Sequence, residues 1–336
     1  MKKRSYFMAL LMWGLLSFVP VSAMATSLDW STFKARFMAQ DGRIIDTGNH
    51  NISHTEGQGF SMLFAVAAND KRSFDQIWHW TRKYLRDPHS GLFYWRYNPI
   101  AANPVADKNN ASDGDVMIAW ALLKAAHRWH VPQYLTESDT IVKAVLKYVV
   151  VDVANYKVML PGRYGFENDT SVTLNPSYFI FPAWRDFERR THLATISQLI
   201  DDAQRLMNNI NWGTYRLPTD WISLSRTGTT SPASAWPARV SYDAIRIPLY
   251  TKWADRDNPI LMRWQQWFAH YPRAQMPAWE NMVNHNKAPY AMNGGLLAIR
   301  DFTMDQLAYS STKIVPKDDY YSSSLKLLTA LADQRF

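Results

Sequence analysis

Asn109-Asn110-Ala111-Ser112-Asp113-Gly114-Asp115 runs directly into Val116-Met117-Ile118-Ala119-Trp120-Ala121-Leu122-Leu123. Val116, Ala119, Trp120 and Leu123 recur at i, i+3, i+4 and i+7, which places them on one face of a helix running from about Ser112 to His130. This is the strongest periodic segment of the chain, and it points to a helical fold. Ser112 is a candidate cap, and its spacing to Asp115 is that of a capping box. The polar opening also looks like the start of a calcium loop, but no glycine or terminal Glu falls at the required offsets.

The same period continues outward. Phe74, Ile77, Trp78 and Thr81 repeat it, with Asp70 as a second candidate cap. Further helices are expected over Glu137–Val153, Leu193–Asn209, Tyr242–Ala254, Leu261–Ala269 and Tyr320–Ala332. Pro132, Pro161, Pro176 and Pro237 mark loops, and two-residue alternation is confined to short pieces such as Tyr156–Leu160. Residues 26–336 therefore read as one mostly α domain whose long loops carry function.

Composition agrees. The 336 residues are 47% hydrophobic and 20% charged, enough for a large core and unlike a disordered chain. With no cysteine, disulfides, thiolate metal sites and cysteine nucleophiles are excluded. The 15 Trp, 17 Tyr and 15 Phe suggest a groove that handles flat, apolar-faced ligands. The net charge is +8, or +5 without Lys2, Lys3 and Arg4, and the remaining cations are scattered rather than striped. That pattern does not make a phosphate track, so nucleic acid is not an expected partner.

Lys2-Lys3-Arg4, the apolar run Tyr6–Val19 and the small residues of Val21-Ser22-Ala23-Met24-Ala25 form a secretory signal peptide over residues 1–25. The apolar run is shorter than the ~20 residues that span a bilayer, so no stable membrane insertion is expected after cleavage. The mature chain is expected to be exported, periplasmic or secreted.

Two further constellations carry chemistry. His54-Thr55-Glu56-Gly57-Gln58-Gly59 sets a carboxylate beside two glycines. Either the glycines admit a close neighbour and Glu56 lines a cavity, or Glu56 is a first-turn charge complementing a helix dipole. His50 and His54 lie four apart but lack the rest of a metal-binding motif. In Ser241-Tyr242-Asp243-Ala244-Ile245-Arg246, Asp243 and Arg246 are three apart and would meet on one helical face. Nucleophile-elbow, P-loop and dinucleotide motifs are all absent from the sequence.

These blocks, in this order, resemble glycoside hydrolase family eight. The likeness extends from Trp30 to about Ala332, and the Asn-Asn-Ala-Ser-Asp-Gly-Asp stretch is close to that family's signature. Arg43-Ile44-Ile45-Asp46-Thr47-Gly48-Asn49, Leu160-Pro161-Gly162-Arg163-Tyr164-Gly165-Phe166 and Asn175-Pro176-Ser177-Tyr178 are most similar to the endoglucanase subgroup encoded with bacterial cellulose synthase.

The resemblance implies an all-α (α/α)6 barrel with a cleft at one end and inverting hydrolysis of β-1,4-glucan, without a cofactor or metal. It implies that Glu56 is the general acid, Asp243 the base that activates water, and Asp113 the residue holding the sugar at the reacting subsite. Asp113 as a nucleophile is the alternative. An acid that stays protonated needs burial or a nearby carboxylate, and Asp113 would supply the second charge. Arg246 would pin Asp243. Substrate binding is expected from Trp95, Tyr178, Arg246, Tyr320, Tyr321 and Asp115, with Trp212, Trp221 and Trp236 either forming outer subsites or packing in the core. The expected partners are a β-1,4-glucan chain and the cellulose synthase export complex. Xylan, chitosan or mixed-linkage glucan, and a non-catalytic polysaccharide-binding export factor, remain as other readings, although a chain of +5 poorly suits cationic chitosan.

Overall fold

The computed structural model describes residues 28–336, so the leader expected over residues 1–25 lies outside the described residues. Eleven α-helices follow one another there: α1 Trp30–Phe37, α2 Thr55–Ala67, α3 Lys71–Leu85, α4 Ser112–Trp129, α5 Pro132–Tyr148, α6 Phe181–Thr191, α7 Ala194–Asn208, α8 Arg246–Ala254, α9 Leu261–His270, α10 Gly294–Thr303 and α11 Tyr320–Asp333. Helix α2 packs on α4, α4 on α6, α6 on α8, α8 on α10, α10 on α11, and α11 closes on α2. Helices α1, α3, α5, α7 and α9 lie outside this ring, and the short 3-10 helix Tyr309–Thr312 fills the sixth outer place. The molecule is an (α/α)6 barrel.

Burial separates the two rings. Inner α2 is hidden from Gly57 through Val66 and α4 from Ser112 through Leu123, so both are apolar almost all round. Outer α3 buries one stripe, including Phe74, Ile77, Trp78 and Thr81, capped by the Asp70 carboxylate accepting from the Ser73 amide at 3.1 Å. Trp80, Trp120, Trp264 and Trp267 are fully buried, so part of the tryptophan excess is core. Among the described residues no helix is long and apolar enough to cross a membrane.

Three sequence expectations need correction. Helix α5 begins at Pro132, where the missing N–H costs nothing in the first turn. It stops at Tyr148, and Val150–Val153 instead pairs antiparallel with Tyr156–Met159. Ser112 does not cap α4: its hydroxyl donates to the Leu160 carbonyl at 2.7 Å and ties the helix start to the following loop. Helix α8 starts at Arg246, not Tyr242, because the Pro248 ring would collide with the Ala244 carbonyl in a longer helix. Residues 241–245 are a turn.

Candidate active site

Glycine sets the spacing of the first two inner helices. A Cβ on Gly114 would lie 2.1 Å from Thr55 Oγ1, and one on Gly59 2.8 Å from the Met117 side chain. Their bare backbones let α2 and α4 approach closely, and this brings the first-turn residues Glu56 and Asp113 into hydrogen-bond contact. Close approach was the right reading of the Glu-Gly-Gln-Gly stretch, but the approaching groups are neighbouring helices. Gly57 faces the Tyr320 ring of α11.

The α2 start is anchored from outside. His54 Nδ1 accepts from the Gly57 amide at 3.1 Å, so Nε2 carries the proton and donates to Asp46 at 3.2 Å. His54 is thus a helix cap held by a carboxylate.

From α8, Arg246 enters the pocket floor with its side chain 3% exposed. Its guanidinium donates to Glu56, to Asp243 at 3.1 Å and to Ser177 Oγ at 2.9 Å, and it lies 4.0 Å from Asp113. Arg246 therefore binds three carboxylates rather than Asp243 alone. Ser177 sits in the 3-10 turn Pro176–Tyr178, fixed by the Asn175 carbonyl oxygen. The Asn175 side chain also faces Asp243 and favours its ionised form.

The carboxylates occupy different environments. Asp113 is 6% exposed. Burial, and then the charge of Glu56, push its carboxyl well above the usual range against the pull of Arg246. Two carboxyl groups in hydrogen-bond contact need a proton between them, and the raised carboxyl of Asp113 supplies it. Asp243 is 36% exposed at its side chain and stands on the 241–245 turn. Its carboxyl is also raised, by burial of its inner side and by Glu56, with Arg246 opposing. The arrangement can deliver a proton from the Glu56–Asp113 pair and take one from a water beside Asp243.

Aromatic groups frame this pocket. The Trp95 carbonyl accepts from the Thr55 amide at 3.0 Å, and its indole donates to Asp107 at 2.7 Å, which fixes the half-exposed ring. Burial, and then the charges of Asp113 and Asp243, push the Tyr178 hydroxyl far up. Tyr178 meets Trp221 edge-on at 6.3 Å, and Phe166, Trp221 and Trp236 stack at 5.9 and 4.6 Å. Trp236 is 37% exposed at the outer end of this stack. Tyr321 is half-buried near Arg246, and its hydroxyl donates to the Tyr242 carbonyl.

Three expected substrate contacts have almost no surface to offer, and Arg246, taken up by the carboxylates, is one of them. Asp115 is fully buried, accepting from the Phe93 amide at 2.9 Å and Asn110 Nδ2 at 2.7 Å, so it ties the Leu92–Tyr97 segment to α4. Two positions past Asp113 along α4, it is turned about 200° around the helix axis, away from the pocket. Tyr320 is also fully buried, with its ring between Phe37 and His54. Trp212 packs partly buried against the core. The residues missed by sequence reading are His54 as a cap, Ser177, Asn175, Asp107 and Asp220. Only the Asn-Pro-Ser-Tyr block carried a signal for any of them.

The family model for glycosyl hydrolases family 8 matches residues 4–335. An endoglucanase of Cellulomonas uda is 54% identical over 277 residues, covering 82% of this chain and 77% of that protein. The crystal structure of a family 8 endoglucanase from Klebsiella pneumoniae superposes with a TM-score of 0.90 at 54% identity, covering 91% of this chain and 99% of the other. An endo-β-1,4-glucanase of Acetobacter xylinum superposes with a TM-score of 0.87 at 36% identity, over 93% and 98% of the two chains. With the family match spanning nearly its whole length and the barrel shared with these structures, the chain belongs to the glycosyl hydrolases of family 8.

Proposed function

We propose that this enzyme cleaves β-1,4-glucan internally, with inversion, and that Glu56 and Asp243 are its acid and base. One observation carries the reading: a buried Asp113 in contact with Glu56 faces a partly exposed Asp243, with Arg246 bridging the two sides. Glu56 passes its proton to the leaving glycosidic oxygen as the bond to the anomeric carbon breaks. Asp243 takes a proton from water, whose oxygen attacks that carbon from the opposite face. The proton that Glu56 gives up is the one held between Glu56 and Asp113, so Asp113 is left as a carboxylate and accepts a hydrogen bond from a sugar hydroxyl at the reacting subsite. A carboxyl that burial and Glu56 push well above the usual range suits a residue that holds the proton between turnovers better than an ionised nucleophile. A neutral glucan offers little charge to grip, so rings such as Trp95, Tyr178 and the Trp221–Trp236 stack supply affinity by stacking on sugar faces.

The named activity of the relatives supports the substrate. The secretory leader pattern and the likeness to the cellulose-synthase-linked subgroup support an exported enzyme, periplasmic or secreted, that trims nascent cellulose at the synthase export complex. Reducing-sugar release from carboxymethylcellulose, followed by product analysis on defined cello-oligosaccharides, tests the activity. Mixed internal products are expected. Exclusive release of single end sugars would overturn the endo reading, and equal rates on xylan would overturn the substrate assignment.

A further inference from the structure

The turn that carries Asp243 is not held by its own helix. Pro248 keeps α8 from extending back over residues 241–245, so the Ser241 and Ala244 amides have no acceptor in a preceding helical turn. A carboxylate more than 20 positions earlier supplies one. Asp220 Oδ1 accepts from the Ser241 amide at 3.0 Å and the Ala244 amide at 2.8 Å, while Oδ2 accepts from the Ser241 hydroxyl. Asp220 is itself fixed, its amide donating to the Arg239 carbonyl at 2.7 Å and its side chain only 9% exposed as a residue.

We propose that Asp220 is the positioning residue of the base, a clamp that grips the turn on both sides of Asp243 and sets where that carboxylate holds its water. The inference rests on the reading of Asp243 as the base. A base on a turn can drift in a way that a group on a helix cannot, and a misplacement of about 1 Å costs roughly 10²-fold in rate. Asp220 reaches both flanking amides and leaves the Asp243 carboxyl free, as a clamp must.

Asp220 also acts through charge. Burial, and then the neighbouring Asp243, raise the Asp220 carboxyl to about 6, so above that pH it is an anion beside the base. The other groups facing Asp243 are Arg246, Glu56, Tyr178, Tyr321 and the Asn175 amide. An anionic neighbour makes Asp243 a stronger base. Removing that charge therefore lets Asp243 stay ionised to lower pH.

The test compares Asp220→Asn, Asp220→Ala and Asp243→Asn in the full chain, reading kcat, KM, Tm and the pH profile on a cello-oligosaccharide. Asp220→Ala should lose about 10²-fold in kcat with KM within about twofold, since the clamp matters to the attacking water and not to sugar binding. Asp220→Asn keeps one acceptor and should lose about tenfold, with the acid limb of the kcat profile displaced about half a unit or more to lower pH. If Asp220→Ala does not fold, Asp220→Asn decides alone. A lower Tm with wild-type kcat and an unmoved acid limb would make Asp220 a structural cap only and overturn the proposal. Wild-type kcat in Asp243→Asn would instead overturn the reading of Asp243 as the base.

Discussion

The two halves of the pocket are built differently. Glu56 and Asp113 stand in the first turns of α2 and α4, two inner helices pressed together by glycines, with side chains 16% and 6% exposed. Asp243 stands on a turn that a proline keeps out of α8, 36% exposed and held by a distant carboxylate. The first half is largely buried, as holding a proton near neutral pH requires. The second is open, as a carboxylate that must hold a water requires. Arg246 joins them, so one cation stabilises both without belonging to either.

The sharpest break of this division is Glu56→Gln. Turnover should fall by ~10²–10⁴-fold or more with a leaving group that needs protonation, while the folded barrel and glucan binding persist. Activity near wild type, measured on cello-oligosaccharides, would remove the proton donor from the buried half.

Asp243→Ala should be nearly as severe. It should respond to azide, because a small anion fits where the carboxylate and water stood and would attack to give an α-glycosyl azide. In the unmodified enzyme, NMR of the first turnover should show the α anomer. A β product would mean direct attack by a carboxylate ~5–5.5 Å from its partner and would shift the chemistry from Asp243 to Asp113.

Gly114→Ala probes the packing that makes the buried half. Its methyl would lie 2.1 Å from Thr55 Oγ1 and 2.9 Å from the Glu56 amide, so α2 and α4 must separate. A loss of about 1–3 kcal/mol in unfolding free energy is expected, with a fall in kcat larger than the same methyl causes at an outer-helix position. Unchanged Tm and kcat would show that the Glu56–Asp113 contact does not depend on this approach.

The smallest effect belongs to Asp115, whose carboxyl burial raises to about 7, against the bonds from Asn110 and Phe93. A carboxyl raised above its unfolded value of about 3.9 favours the fold below that pH. The contribution is lost as pH climbs toward 7. Denaturant midpoints at pH 5 and pH 8 should therefore fall less in Asp115→Asn than in the unmodified protein. Parallel falls would mean that Asp115 does not titrate in the fold.

The sequence alone determined the helical class, because i, i+3, i+4 and i+7 spacing is a local property that survives in any tertiary arrangement. It also marked the Glu56, Asp113 and Asp243 blocks, each a contiguous run of a few residues. What it missed was always a matter of distance or direction. Asp115 sits two positions from Asp113 and Tyr320 one from Tyr321, and both point elsewhere, because each step along a helix turns the side chain by about 100°. The starts of α5 and α8 turned on proline stereochemistry at Pro132 and Pro248, which reads as loop or helix depending on its place in the first turn. Asp220 reaches Ser241 and Ala244 across more than 20 positions, and Arg246 reaches Glu56 across 190. No periodicity encodes such pairs. They exist because six inner helices begin at one end of a closed barrel, and only the folded chain brings those ends, with their carboxylates and one arginine, to a single point.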